Sequence, residues 1–167
     1  TRWATHGEPN LKNAHPHSDK NNNFSLIHNG IIENHYAIKE FLIKEGIIFN
    51  SDTDTEVLVQ FIAYLYKKNS LSFFEIIKMA LKEVIGAYGI VAMCKNEPGK
   101  LIAARHGSPL VIGIGQNEHF IGSDVSAVME YSRNILYLDD NEVVEVEQDN
   151  YSIKHINHDN EIIKDVK

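Results

Sequence analysis

The sequence is poor in cysteine and in positive charge. One cysteine among 167 residues excludes an intrachain disulfide framework and fits a reducing, cytosolic compartment. No hydrophobic run approaches the roughly 18 residues that a membrane-spanning helix needs, and no signal peptide is visible. Lys and Arg number 16 against 23 Asp and Glu, a net charge of −7. Without a basic cluster, we expect neither nucleic acid nor a membrane as the main partner.

What remains is an ordinary globular composition, 43% hydrophobic and 23% charged, in a chain long enough for one domain with a real core. The chain begins on a polar motif at Thr1 and not on Met, so we expect that residue 1 is not the natural start. The single cysteine, Cys94, ends the apolar run IVAMC at 90–94. We therefore interpret Cys94 as a buried strand residue and not as a nucleophile.

Apolar residues recur with helical spacing in the first half of the chain. This spacing predicts helices over residues 34–45, 54–68 and 72–84. Thr53 with Glu56 forms a capping-box pattern at the start of the second helix, and Ser72 with Glu75 opens the third. The polar run 19–23 reads as a turn.

Strand patterns flank these helices. A first strand is predicted over 24–28, ending at Asn29-Gly30, because both residues tolerate the positive φ of a tight turn. After Gly86 the period becomes extended, with one short helix over 125–131. The predicted strands are 88–94, 100–105, 110–113, 119–122, 135–138, 143–147 and 151–155. Grouped helices followed by strands predict an α+β domain of antiparallel sheet with helices packed outside.

Three polar motifs carry groups suited to an amino-acid amide: TRWATHG at 1–7, HNGIIEN at 28–34 and SDTDTE at 51–56. Arg2 is a permanent cation that binds carboxylates bidentately. Asn29 beside Gly30 gives a side-chain amide and an unhindered N–H, two donors that can converge on one developing oxyanion. Asp54 offers a carboxylate for an ammonium. No nucleophile accompanies them.

Each of these residues also has a structural interpretation. Arg2 alone is most often a surface ion pair, and Trp3 a core or interface anchor. Asn29-Gly30 as a lone dipeptide is usually a turn, and Asp54 could simply be the acidic residue that a helix dipole favours in its first turn. Only the presence of all three motifs in one chain favours the functional interpretation of these residues.

Metal and nucleotide sites have weak support. His15-Pro16-His17 supplies two potential ligands without further spaced partners, so no metal is expected. Gly113-Ile114-Gly115 lacks the third glycine and the following helix of a dinucleotide-binding loop. We expect no cofactor.

Seven motifs in one order make the chain resemble the class II glutamine amidotransferases. They are TRWATHG (1–7), NAHPH (13–17), HNGIIEN (28–34), SDTDTEV (51–57), GAYG (86–89), RHGSPLVIG (105–113) and IGSD (121–124). The resemblance implies an N-terminal-nucleophile hydrolase fold, an αββα sandwich of antiparallel sheets. It also implies that 1–167 is a partial glutaminase domain, whose nucleophile-bearing N-terminal segment and C-terminal sugar isomerase domain are absent from this sequence.

The resemblance assigns the binding of L-glutamine to four residues of the first motif and to one residue of the fourth, SDTDTEV. Arg2 would hold the α-carboxylate with Thr5 and His6 assisting, Trp3 would line the pocket near the transferred amide, and Asp54 would take the α-ammonium.

The resemblance also assigns the chemistry. The Asn29 side chain and the Gly30 N–H would form the oxyanion hole, while an N-terminal Cys outside this chain attacks the side-chain amide with its own α-amino group as base. Ammonia would pass to a sugar-phosphate isomerase domain of the same polypeptide, which makes glucosamine 6-phosphate from fructose 6-phosphate. A homodimeric, cytoplasmic full-length protein is expected, and the chain alone is expected to be inactive.

Three alternatives stay open. Thr1 could itself act as an N-terminal nucleophile. The chain could belong to another class II amidotransferase, such as a phosphoribosyl amidotransferase or asparagine synthetase. It could also be a non-catalytic glutamine-binding module that keeps Arg2 and Asp54 as clamps. The sequences upstream and downstream of this chain discriminate among them.

Overall fold

The structure is a computed structural model that describes residues 7–167. Its helices are α1 (His35–Lys44), α2 (Asp54–Lys68) and α3 (Phe73–Lys82). Its strands are β1 (His17–Ser18), β2 (Phe24–Ile32), β3 (Gly86–Cys94), β4 (Leu101–His106), β5 (Val111–Ile114), β6 (His119–Gly122), β7 (Asn134–Tyr137), β8 (Glu142–Val146) and β9 (Tyr151–His155). The three helices predicted in the first half of the chain and all eight predicted strands are present. Among the strands of residues 7–167, only the two-residue β1 was not predicted.

The strands form two antiparallel sheets. Sheet A has six strands in the order β1-β2-β3-β4-β8-β9, and sheet B has three in the order β6-β5-β7. Within each sheet the described pairs are antiparallel. The α+β sandwich of antiparallel sheets predicted from the sequence is therefore confirmed.

The larger core lies between sheet A and the helices. Alternate residues of β2 and β3 point into it, among them Leu26 and Ile90 at 1% and 0% exposure. The buried faces of α2 and α3 meet them, with Ile62 and Ile76 among the buried side chains. The buried face of the strands, which alternates with a period of two, thus packs against the apolar face of the helices, whose residues follow the helical period.

A second core lies between the two sheets. Sheet B packs on the part of sheet A that contains β4, β8 and β9, through Ile112 and Leu136 on one side and Ala103, Val144 and Ile153 on the other. The outer face of β2 is not covered in the same way by the described residues: Ile27 and Ile31 are 45% and 42% exposed there, and Met93 of β3 is 52% exposed. Among the described residues, sheet B thus covers sheet A over β4, β8 and β9 but leaves apolar side chains of β2 and β3 exposed.

Two predictions of local structure were wrong. Asn29-Gly30 does not end its strand, because β2 runs on to Ile32 and pairs with β3 along its whole length. The predicted helix over 125–131 is a single 3₁₀ turn, Val125–Ala127, opened by Asp124, whose side chain accepts from the Ser126 N–H. Beyond that 3₁₀ turn, the outer side of sheet B carries no α-helix in the described residues, so the second helix layer of the expected sandwich is not seen there.

The polar run at 19–23 forms the predicted turn between β1 and β2. The Asp19 carboxylate accepts from the backbone N–H groups of Asn21, Asn23 and Phe24. In the described part of the chain, no helix is both long and apolar enough to cross a membrane.

Candidate functional site

Asn29 lies in the middle of β2, on the face of sheet A that points away from the helices. It stands opposite Gly89 of β3, and its side chain is exposed. Because Gly89 has no side chain, the Asn29 amide has no cross-strand neighbour to cover it. The strand therefore presents this amide to the space between the two sheets.

Gly30 has a backbone conformation that only glycine adopts easily, with φ of +126°. A Cβ at this position would lie 2.1 Å from the Ala87 carbonyl oxygen and 3.1 Å from Ser108 Oγ. Gly30 is therefore required for its geometry within a strand, and not for a turn.

Asp54 is the first residue of α2, and it is only 2% exposed. Its Oδ2 accepts a hydrogen bond of 2.9 Å from the Ile32 backbone N–H, and its Oδ1 lies 3.9 Å from His28 Nδ1. An ordinary acidic residue at a helix start faces solvent, whereas this one is buried against β2. Asp54 thus contacts β2 at Ile32 and at His28, the residues that lie on either side of the Asn29-Gly30 pair.

The rest of the SDTDTE motif builds the start of α2. Thr53 Oγ1 accepts from the Glu56 N–H and caps the helix. The reciprocal half of the predicted capping box is absent: the Glu56 carboxylate instead accepts from the N–H groups of Asn50 and Ser51 and from the Ser51 hydroxyl. Asn13 Oδ1 accepts from the Asp52 N–H, which ties the NAHPH segment to the same loop. These bonds fix the position of Asp54.

The two histidines of the NAHPH segment contact hydroxyls of this helix start. His17 Nε2 lies 3.1 Å from Thr53 Oγ1, and His15 Nε2 lies 3.3 Å from Thr55 Oγ1. Within residues 7–167, no group of three or more His, Cys, Asp or Glu side chains is arranged to hold a metal ion. The contacts seen for His15 and His17 are therefore with threonine hydroxyls of α2 and its N-cap.

A cavity of about 230 Å³ opens beside Asn29, between the outer face of β2 and β3 and the edge of sheet B. His15 and Ile27 line one side, and Gly122 and Ser123 at the end of β6 line another. The cavity combines apolar walls with a few polar groups, the usual make-up of a small-molecule site.

The polar groups on the other side of β3 make a separate cluster. Burial, with a smaller contribution from Asp140, raises the pKa of Tyr88 to about 12. Asp140 accepts from the Gly107 N–H and pairs with Arg105 at 2.8 Å, and the bond from Gly107 is the main cause that lowers the pKa of its carboxyl group. This cluster borders a second cavity of about 310 Å³, which contains His106 but no residue of the predicted site.

The predicted site residues thus divide into two groups. The structure places Asn29 and Gly30 on β2 and holds Asp54 against the same strand at Ile32 and His28, whereas Arg2, Trp3, Thr5 and His6 lie outside the described residues. Sequence reasoning missed Thr55 and His28, which join the two halves of the described site. The alternation of β2 could have identified His28, because it puts that side chain on the helix face with Leu26.

Comparison with known proteins identifies the class. A family model described as a glutamine amidotransferase domain matches residues 8–130. The chain belongs to this family of glutamine amidotransferase domains, and the resemblance inferred from its motifs is confirmed.

Individual relatives of the chain share one name within this family. Glutamine–fructose-6-phosphate aminotransferase (isomerizing) of Chlorobaculum tepidum is 48% identical over 157 residues, which is 93% of this chain and 26% of the relative. The protein of the same name from Fusobacterium nucleatum is 44% identical over 167 residues, 100% of this chain and 27% of the relative. The chain thus spans about a quarter of the length of the curated relatives it matches.

Solved structures confirm the fold. Glutamine phosphoribosylpyrophosphate amidotransferase of B. subtilis superposes with a TM-score of 0.77 at 25% identity, over 95% of this chain and 34% of that one. A second structure, described as an allosteric regulatory enzyme of purine biosynthesis, gives a TM-score of 0.70 at 24% identity, over 86% of this chain and 31% of that one. Both likenesses agree with the N-terminal-nucleophile hydrolase fold that the motifs imply.

Proposed function

We propose that this chain is most of a glutaminase domain that hydrolyses L-glutamine and supplies ammonia for making glucosamine 6-phosphate from fructose 6-phosphate. The observation that carries the proposal is the placement of a buried carboxylate, Asp54, against the strand that carries Asn29 and Gly30. Identities of 44% and 48% to two glutamine–fructose-6-phosphate aminotransferases support the particular reaction.

In the proposed site, glutamine lies in the cavity beside β2 with its two ends held separately. Its side-chain carbonyl oxygen faces the Asn29 amide and the Gly30 N–H, and these donors stabilise the oxyanion of the tetrahedral intermediate. Its α-ammonium lies toward Asp54. Removal of one oxyanion donor costs on the order of 3–4 kcal/mol of transition-state stabilisation in other hydrolases, so Asn29 carries much of the rate.

The remaining roles follow the motifs at the start of the chain. Arg2 pairs with the α-carboxylate, Thr5 and His6 assist it, and Trp3 lines the pocket near the transferred amide. The nucleophile is an N-terminal Cys on a segment that precedes Thr1 in the full-length protein. Its thiol gives its proton to its own α-amino group as the sulfur adds to the side-chain amide carbon, which forms the tetrahedral intermediate. The C–N bond then breaks, the leaving nitrogen takes that proton and departs as ammonia, and water hydrolyses the remaining thioester to glutamate.

The wider arrangement belongs to the same proposal. Ammonia passes to a sugar-phosphate isomerase domain on the same polypeptide, which is expected to be a cytoplasmic homodimer. The chain studied alone hydrolyses no glutamine, because the attacking group is not part of it.

The experiment is glutamine hydrolysis by the full-length protein, followed by intact mass after treatment with an alkylating glutamine analogue. We expect turnover, one label at the N-terminal Cys, and a loss of kcat of roughly 100-fold or more in Asn29→Ala. Asp54→Asn keeps the acceptor for the Ile32 N–H but loses the charge, so it should lower kcat/KM roughly tenfold or more. Asp52→Asn, which changes an exposed neighbour, is the matched control.

A non-catalytic glutamine-binding module is the second candidate, because this chain supplies ligand clamps and no nucleophile. Glutamine binding that depends on Arg2 and Asp54, without turnover or labelling of the full-length protein, would favour the module and overturn the enzyme.

A further inference from the structure

Two consecutive residues of α2 hold β2 on either side of the Asn29-Gly30 pair. Asp54 Oδ2 accepts from the Ile32 N–H at 2.9 Å, two residues beyond Gly30. Thr55 Oγ1 lies 3.2 Å from His28 Nδ1, one residue before Asn29. The first turn of α2 therefore contacts β2 on both sides of the Asn29-Gly30 pair, at Ile32 and at His28.

The Thr55 hydroxyl has a second partner across the site. It lies 3.3 Å from His15 Nε2, and the His15 side chain lines the cavity that also contains Asn29. A hydroxyl carries a single proton, so it can donate to only one of these ring nitrogens and must accept from the other if both bonds form. The donor and acceptor roles of His15 Nε2 and of His28 Nδ1 are thus linked through one oxygen.

The need for α2 as a helix does not explain this hydroxyl. Thr53, not Thr55, caps α2 by accepting from the Glu56 N–H. Threonine has a lower helix propensity than most of its alternatives, and Thr55 is 2% exposed, where an aliphatic residue of the same shape would be expected. A buried hydroxyl is stable only with partners, and within residues 7–167 the Thr55 hydroxyl contacts two histidines, His15 and His28.

We propose that Thr55 is a positioning residue for glutamine hydrolysis, whose hydroxyl bridges His28 and His15 and fixes the oxyanion donors relative to Asp54. The inference rests on the function proposed above. One glutamine molecule must reach the Asn29-Gly30 donors with its amide and Asp54 with its ammonium, so the separation of strand and helix has to match the substrate. Sheet hydrogen bonds place β2 relative to β3, but only side-chain contacts such as this bridge place it relative to α2.

The test uses the full-length protein with variants at this one position. Thr55→Val keeps the shape and removes the hydroxyl, and Thr55→Ser keeps the hydroxyl. We expect Thr55→Val to lose roughly tenfold or more in kcat, since small misplacements of reacting groups have effects of this size or larger, with KM changed less than about twofold. Thr55→Ser should stay within about threefold of wild type in kcat.

Two further variants separate positioning from stability. Ser72→Ala removes the N-cap of α3, whose Oγ accepts from the Glu75 N–H far from the site, so it lowers the melting temperature and should leave kcat unchanged. If Thr55→Val does not fold, Thr55→Ala against Thr55→Ser decides, because this pair differs only in the hydroxyl.

The outcomes are distinguishable. Wild-type kcat in Thr55→Val, or a loss in Thr55→Ser as large as that in Thr55→Val, overturns the positioning role while the proposed glutaminase stands. A fall in kcat that only follows melting temperature, and appears equally in Ser72→Ala, overturns it as well. Absence of glutamine hydrolysis in the wild-type protein overturns both the function and the role of Thr55.

Discussion

At the scale of single residues, the backbone at Gly30 imposes the strictest requirement in the described site. A side chain there has two problems, a positive φ and a contact of 2.1 Å with the Ala87 carbonyl oxygen. The contact is with backbone, so relief requires β2 and β3 to move apart. Asn29 depends on this close pairing because it lies on β2, and the Asp54 carboxylate depends on it through the hydrogen bond from the Ile32 N–H.

Gly30→Ala should therefore destabilise the protein by more than the usual cost of a left-handed alanine, which is about 1–2 kcal/mol. Urea unfolding monitored by circular dichroism measures the change in the free energy of unfolding. Gly99→Ala is the matched control, because Gly99 also has positive φ, +83°, but nothing lies within 4 Å of its would-be Cβ. Equal losses in the two variants would show that the Ala87 contact is not tight.

At the scale of elements, hydrogen bonds between loops and strand ends decide how the elements meet. Asp140, which follows β7, accepts from the Gly107 N–H after β4 and pairs with Arg105. The Gly107 bond, helped by the Arg105 charge, lowers the pKa of the Asp140 carboxyl group below 3.8. A lowered pKa in the folded state means that the ionised carboxylate stabilises the fold.

This stabilisation has a definite pH window. It is fully present above about pH 4, the unfolded value, and it is lost as the pH falls through the lower folded pKa. We expect the free energy of unfolding of wild type to exceed that of Asp140→Asn at pH 6, and the difference to shrink toward pH 2. Asp124→Asn changes a second carboxyl group of lowered pKa, at the 3₁₀ turn, and tests the same relation between pKa and stability at an independent position. A difference for Asp140→Asn that grows on acidification would contradict the assignment.

At the scale of the whole molecule, the conspicuous feature of residues 7–167 is the exposed apolar face of sheet A on β2 and β3. Sheet B covers the part that contains β4, β8 and β9, whereas Ile27 and Ile31 on β2 and Met93 on β3 stay 42–52% exposed. β6 is an edge strand of sheet B beside this face. An exposed apolar face next to a strand edge favours association with another chain or segment.

We expect this chain, expressed by itself, to self-associate through that face. The double variant Ile27→Thr, Met93→Thr replaces two exposed apolar side chains with threonine, which is polar and favoured in strands. It should shift sedimentation velocity profiles toward the monomer. Met129→Thr, an equally exposed methionine at 60% outside this face, should leave the profile unchanged. A wild-type chain that sediments as a monomer at high concentration would contradict the prediction.

The sequence alone determined the element types and the family. Helical and alternating periods located the three helices and all but one of the strands, because the side-chain period follows directly from backbone geometry. The order of seven motifs identifies a glutamine amidotransferase domain, and the same motifs single out Asn29, Gly30 and Asp54 as candidate site residues without any geometry. These conclusions need only local patterns and their order along the chain.

Only the tertiary structure decided how these residues act together. Asn29-Gly30 looked like a turn, since the local preference of the dipeptide does not reveal that β3 pairs with it along the whole strand. Asp54 looked like an ordinary helix start, because burial against β2 depends on packing and not on sequence spacing. The bridge from Thr55 to His15 and His28 joins residues 40 and 27 positions apart, a long-range contact that no periodicity encodes.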